Sequence, residues 1–330
     1  MKSILFFIPV FLIYLSARSQ SGGQVYSTSP GTEDVVLDTF TGPARLIVSC
    51  AARRKSEPYS SDFWAIHPET GIAERIPRSG EPEGWKPHFH GIELVKGMDG
   101  KIRLYAIAHG VSETDSRNRI LIYELSKTAA TLIDSILNPQ IVKSPNDVCA
   151  LADGTIFWTN DYGTGLGMAW RFIFRCKTST IGKYESGEFS IVAKRLQYAN
   201  GILPKENKLY VSTTRGNKLY QYEINSDKTL SDRKVLATHL KGLDNISFSG
   251  ENLIVTGHPK FGKFIKNMKD AAEYSPSKVY SFSLTSGEIK TIFEDDGSRI
   301  SACSVAQVWD GKLWMGQVFN GWVYAFKLSK

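Results

Sequence analysis

Six short fragments of the chain resemble one another and recur at nearly even spacing: Glu33-Asp34-Val35, His90-Gly91-Ile92, Asn146-Asp147-Val148, Asn200-Gly201-Ile202, Asp244-Asn245-Ile246 and Cys303-Ser304-Val305. Between their middle residues the steps are 57, 56, 54, 44 and 59 residues. Each fragment sets small, polar or charged groups directly before a β-branched residue. Four carry carboxylate or amide oxygens and one carries an imidazole. A repeat that delivers one such tip per unit can gather them on an axis of symmetry.

The stretch after each fragment repeats as well. A turn comes a few residues later, often Asp-Gly, and then a strand: Asp99-Gly100 before Ile102–Ile107, Asp153-Gly154 before Thr155–Trp158, Asp310-Gly311 before Leu313–Met315. Asp-Gly between apolar runs signals a hairpin, because Gly tolerates the positive φ of primed turns. A third strand with period-2 alternation comes next in most units, as in Lys218–Ile224 and Trp322–Leu328. Short strands in repeats of roughly 40–50 residues point to a β-propeller. Six copies predict an all-β, six-bladed β-propeller whose fragments crowd round one end of the central channel.

Residues 1–20 read as a secretory signal peptide or N-terminal anchor, with Lys2 at the start, an apolar run from Ile4 to Leu15, and small residues at Ser16-Ala17-Arg18-Ser19. The run is shorter than the ~20 residues of a membrane-spanning helix. The expected location is secreted or periplasmic, and an uncleaved leader would allow peripheral membrane or lipid contact through the N-terminus. Residues 21–330 read as one propeller domain, with no Pro/Ser-rich linker. Cys50, Cys149, Cys176 and Cys303 form no CxxC and read as buried thiols. The net charge of +7 is modest for 330 residues. In the basic clusters, Arg53-Arg54-Lys55 and Lys260–Lys269, only Phe261 and Phe264 hint at the interleaved stacking aromatics of a nucleic-acid groove, so no nucleic-acid partner is expected, and contact with an anionic surface is the secondary reading. The second cluster reads as a solvated loop at the channel mouth.

Glu33, Asn146, Asn200, Asp244 and Asn245 supply carboxylate and amide oxygens and no thiolate. Such hard donors select Ca²⁺ over zinc or copper. Two carboxylates give the cage a charge of −2, which one Ca²⁺ neutralises. Asp34 and Asp147 lie one residue along, and strand alternation would turn them deeper into the channel, toward a second ion. The Asn245-Ile246-Ser247 sequon is discounted as a glycosylation site, since an axial ligand does not sit on a surface loop.

In combination, His90-Gly91-Ile92, Asn146-Asp147, Thr159-Asn160-Asp161, Ala199-Asn200-Gly201-Ile202, Asp244-Asn245-Ile246-Ser247, Gly257-His258-Pro259 and Gly311–Gly316 resemble the paraoxonase/arylesterase family, in order from about Gly31 to Leu328. The resemblance implies two axial calcium ions. Glu33, Asn146, Asn200, Asp244 and Asn245 would hold the catalytic one, and Asp34, Asp147 and the backbone carbonyl of Ile92 the structural one. It implies hydrolysis of small-molecule lactones and aryl esters, with His90 and His109 as a histidine dyad and His258 as a further active-site histidine. Ca²⁺ would polarise the carbonyl, His90 would deprotonate water, and Asp244 is a rival base or nucleophile. Two features depart from the vertebrate members. No Cys lies before Cys50 or after Cys303 to join the chain ends, and the apolar segment after Asn160-Asp161 is short. The long loop from Cys50 to Phe89, with Arg53, Tyr59, Trp64 and Trp85, is the alternative candidate for shaping the entrance. A sugar-lactone hydrolase and a non-catalytic calcium-stabilised propeller are the competing readings. A more polar pocket would favour the first, and the retained histidines argue against the second.

Overall fold

The computed structural model describes residues 18–20, 22–163 and 165–328. It is a six-bladed propeller whose sheets are antiparallel except for the edge strand Arg78–Ser79, which pairs parallel with Ala130–Ile136, and the described residues include two nine-residue helices, α1 (Gly165–Ile173) and α2 (Phe261–Lys269). Blade 1 begins with the strand Thr32–Asp38, and blades 2 to 6 begin with Phe89–Lys96, Pro145–Ala150, Ala199–Lys205, Leu243–Ser249 and Cys303–Trp309. Every predicted fragment therefore opens the innermost strand of a blade.

The ring closes through the chain's own ends. Gly23–Ser27 pairs antiparallel with the C-terminal strand Trp322–Lys327, so blade 6 is built from both termini. Arg18–Gln20, inside the segment read as the leader, forms the outermost strand of that blade. The remainder of the leader lies outside the described residues. Closure of this kind replaces open sheet edges along the ring with paired strands. Between blades the core is apolar. Phe63 and Phe89 stack at 4.1 Å with Tyr123 edge-on at 5.3 Å from Phe63, and Cys50, Cys149 and Cys303 are fully buried, whereas Cys176, expected to be buried with them, is only half-buried. Trp64 belongs to the apolar core and does not shape an entrance.

Each fragment coincides with a β-bulge. The register of the first strand pair breaks at Thr32/Asp34, Phe89/Ile92, Pro145/Val148, Ala199/Ile202, Leu243/Ile246 and Cys303/Val305. A bulge re-aims side chains and suspends the period of two. Simple alternation therefore does not govern Asp34 and Asp147, contrary to the sequence expectation. Each bridges to the next blade: Asp34 accepts the Ile92 N–H at 2.8 Å, and Asp147 accepts the Ile202 N–H at 2.8 Å.

A second set of bonds ties the bulges together. Hydroxyls reach across five blade interfaces to backbone carbonyls of the fragments: Ser49 to His90, Thr159 to Asn200, Ser212 to Asp244, Thr256 to Ser304, and Ser304 to Glu33, at 2.5–2.7 Å. At the remaining interface Gly91 packs directly on the backbone of Asn146-Asp147, and a Cβ there would lie 2.7 Å from Asp147 Cα. Gly201 is equally confined, since a Cβ would lie 2.8 Å from Asn245 Cα and Ile246 N. Gly201→Ala should therefore displace the Asp244-Asn245 backbone and cost about 1–3 kcal/mol through overpacking, measured by denaturant unfolding. Ala at Gly100, where no neighbouring atom lies within 4 Å but φ is +79°, is a control for backbone strain alone.

Candidate active site

Five of the six bulges converge on a cavity of about 430 Å³ with a polar floor and an apolar roof. The floor contains Glu33, Asn146, Asn200 and Asp244, with Asn245 adjoining through its neighbour. All five predicted oxygen donors are buried, at 3–6% exposure. Three of their oxygens, Glu33 Oε2, Asn200 Oδ1 and Asn245 Oδ1, are buried without a hydrogen-bond partner among the described residues. The amide nitrogens explain the orientation. Asn200 Nδ2 donates to Thr214 Oγ1 at 3.1 Å and Asn245 Nδ2 to the Glu33 carbonyl at 3.5 Å, which leaves both oxygens unpaired. Buried, unpaired oxygens are costly unless a partner arrives. No group of three His, Cys, Asp or Glu side chains is arranged to hold a metal among the described residues, so a cation here depends on the amides. This all-oxygen donor set fits calcium.

Electrostatics agree with that reading. Burial pushes the Glu33 carboxyl up to about 7, against the lowering effect of the Arg53 guanidinium, and the Asp244 charge raises it further. Arg53 Nε lies 3.2 Å from Glu33 Oε2. Asp244 Oδ2 is 2.6 Å from His258 Nε2, so this carboxylate is held by a hydrogen bond. Burial also pushes the Asp34 and Asp147 carboxyls well above the usual range, and the Asp34 charge raises Asp147 further. Glu93, two residues beyond Gly91, joins them as a third acidic group, raised by burial to about 7. The sequence marks it only as a carboxylate directly after a fragment.

The histidines separate by environment. His90 Nε2 lies 3.7 Å from Glu33 Oε1, and its Nδ1 is buried without a partner among the described residues. Its ring meets His109 edge-on at 4.9 Å. His109 Nδ1 is 3.0 Å from Asn118 Oδ1, whose Nδ2 in turn donates to the Lys143 carbonyl. Burial, then the Arg53 charge, holds His90 well below the ordinary imidazole pKa, and burial brings His109 and His88 to about 4. Neutral imidazoles can accept a proton. His88 is engaged with the Ala52 carbonyl at 2.9 Å. His258 Nδ1 is also unpartnered among the described residues, and its ring lies 4.7 Å from Phe264.

The roof departs from expectation. Lys260–Lys269 is not a solvated loop but contains α2. Phe261, Phe264, Ile265 and Met268, at the i, i+3, i+4, i+7 spacing of a helical face, all line the cavity. That spacing was present in the sequence beneath the more conspicuous lysines. The short segment after Asn160-Asp161 also forms a cap, because α1 delivers Met168 and Phe172. Phe172 stacks on Phe261 at 3.9 Å, and Phe264 packs on Phe319 at 5.2 Å. Tyr198 completes the wall in a left-handed conformation (φ 58°) directly before Ala199-Asn200, a strained state that its neighbours must hold. Arg54 pins α2: its Nε donates to the Asn267 carbonyl at 3.1 Å, and its guanidinium lies 5.1 Å from the Phe319 ring centre. Arg54→Met should accelerate amide hydrogen exchange across α2 while leaving blades 3 and 4 protected, as read by mass spectrometry.

A closed propeller with an oxygen-lined, axially placed and roofed pocket defines the class of this protein. The Arylesterase family model matches residues 56–326, and the chain belongs to that family. It is 23% identical over 266 residues to human serum paraoxonase/arylesterase 2, covering 76% of this chain and 71% of the relative. With rabbit serum paraoxonase/lactonase 3 it shares 24% over 253 residues, 74% and 69% of the two chains. Among solved structures, a luciferin-regenerating enzyme (TM-score 0.59, 14% identity, 93% of this chain and 95% of the other) has the same fold. So does the calcium-binding protein regucalcin from Agrobacterium tumefaciens (TM-score 0.55, 13% identity, 93% of both chains).

Proposed function

We propose that this protein is a calcium-dependent hydrolase of apolar lactones and aryl esters. The observation that carries the reading is the set of three buried oxygens, without a hydrogen-bond partner among the described residues, under an aromatic roof. Glu33, Asn146, Asn200, Asp244 and Asn245 would hold the catalytic ion. Asp34, Asp147 and the Ile92 carbonyl would hold a second, with Glu93 close enough to interact electrostatically with both aspartates. Bound calcium supplies Lewis-acid polarisation of the ester carbonyl and stabilises the developing oxyanion.

The chain's own groups do the rest. His90, kept neutral by burial, takes the proton from the attacking water. His109 lies against its ring and, fixed by Asn118, positions it. His258 restrains Asp244 through their 2.6 Å contact, so that the carboxylate keeps one orientation in the cage. The roof of Phe172, Phe261, Phe264 and Phe319 excludes water and accommodates the apolar part of the substrate. That roof favours aliphatic lactones and aryl esters over sugar lactones, whose hydroxyls would be left unpaired beneath it. The relatives' names, paraoxonase/arylesterase and paraoxonase/lactonase, support the same reaction class. An extracellular or periplasmic location is part of the same proposal, consistent with the serum relatives.

Chelation followed by calcium titration should restore hydrolysis of phenyl acetate and δ-valerolactone in parallel with an upward shift of the melting temperature. Hydrolysis that persists without metal would sink the mechanism, and faster turnover of gluconolactone would favour the sugar-lactone reading. His90→Gln should lower kcat at least ~10-fold, as loss of a general base does, while calcium binding followed by calorimetry is retained.

A further inference from the structure

The tandem Arg53-Arg54 reads in the sequence as part of a basic cluster, yet the fold draws both side chains inward and sends them to different tasks. Arg54 secures the roof. Arg53 enters the cavity, where no step proposed above uses its charge. Its side chain is only 12% exposed. One edge of the guanidinium is held, with Nη2 donating to the Phe89 carbonyl at 3.1 Å. Nε faces Glu33 Oε2 at 3.2 Å, but neither atom has a partner of hydrogen-bonding geometry among the described residues. Nη1 donates to no protein atom among them.

The charge balance shows what is missing. Apart from the imidazoles, the charged side chains lining the cavity are Glu33, Asp244 and Arg53. A divalent cation in the oxygen cage neutralises the two carboxylates and leaves the guanidinium as a surplus positive charge. Glu33, the carboxylate closest to Arg53, is then shared with the ion. An enclosed, uncompensated cation is unfavourable. A planar guanidinium with free N–H groups matches a carboxylate in geometry as well as charge. Arg53 also stands on the histidine side of the cavity, since Glu33, its partner, lies 3.7 Å from His90 through its other oxygen. An acid group bound there would leave the apolar part of the molecule beneath the aromatic roof.

We propose that Arg53 is a specificity-determining residue that binds a carboxylate carried by the substrate, so that the preferred substrates are apolar esters or lactones bearing an acid group. This rests on the hydrolase reading above and narrows its substrate class.

The test compares a matched pair, phenyl hexanoate and monophenyl adipate, which differ at the chain end in a methyl group against a carboxylate. Calcium-loaded wild-type protein, Arg53→Met and Arg53→Lys are assayed, with calcium affinity of each measured by calorimetry to confirm an intact cage. The expected result is a higher kcat/KM for the adipate ester in the wild type. In Arg53→Met the adipate-to-hexanoate ratio should fall at least ~10-fold, through KM, as loss of a charged hydrogen bond implies; Arg53→Lys should restore part of it. An unchanged ratio overturns the proposal. So does a parallel fall in kcat for both esters, which would place Arg53 on the reaction's oxyanion. If the wild type cleaves neither ester, the hydrolase reading fails, and Arg53 is judged by binding alone. Adipic acid monoanilide, an uncleavable analogue, should then bind the calcium-loaded wild type at least ~10-fold more tightly than Arg53→Met; equal binding overturns the assignment. Should Arg53→Met fail to fold, Arg53→Gln replaces it in every arm.

Discussion

Two carboxylates, Glu33 and Asp244, are held inside a closed ring at 3–4% exposure beside amide oxygens that have no protein partner among the described residues. By themselves these groups are far from electrostatic and hydrogen-bonding balance. The cost is tolerable because strand pairing, hydroxyl-to-carbonyl bonds and inter-blade aromatic packing hold the fragments rigidly in place. Closure of blade 6 by strands from both termini is part of that frame. The site therefore depends on the whole ring, since each donor comes from a different turn of the chain apart from the pair Asp244-Asn245.

The bulges convert this ring into a site. A regular strand would point alternate side chains to opposite faces and bring only one residue per blade to the channel end. A bulge at each fragment lets neighbouring residues serve different ends: Glu33 reaches the cavity while Asp34 bridges to Ile92, and Asn146 reaches it while Asp147 receives Val148 and, through its other oxygen, the N–H of Ile202. The small residues Gly91 and Gly201 permit the close backbone approach that the convergence demands. Above the floor, α1 and α2 enclose the space with aromatic rings, and Arg54 ties one of them to blades 1 and 6. Floor and roof thus have opposite polarity.

Much of this is legible in the amino-acid sequence. The regular recurrence of the fragments and the Asp-Gly hairpins predict six blades, because period and turn chemistry are local properties. Four of the five oxygen donors were visible because they hold the first position of their fragments, and Asn245 follows Asp244 directly. Other features were not. Arg53 and Arg54 look alike in a basic run, and only their tertiary contacts distinguish a residue in the cavity from one that pins a helix. Lys260, Lys263, Lys266 and Lys269 obscured the apolar spacing of Phe261, Phe264, Ile265 and Met268, and a nine-residue helix becomes stable only when that face has something to cover. Glu93 and Tyr198 belong to no repeat, and Glu93 is marked only as a carboxylate directly after a fragment.

By itself the sequence determined the architecture and the donor chemistry, since repeat period, turn residues and side-chain type are written residue by residue. Which donors remain unpaired, where the bulges redirect their neighbours, and which residues close the cavity were decided only by the tertiary structure. Those properties depend on contacts between residues as far apart as Glu33 and Ser304, which come together only when the ring is closed.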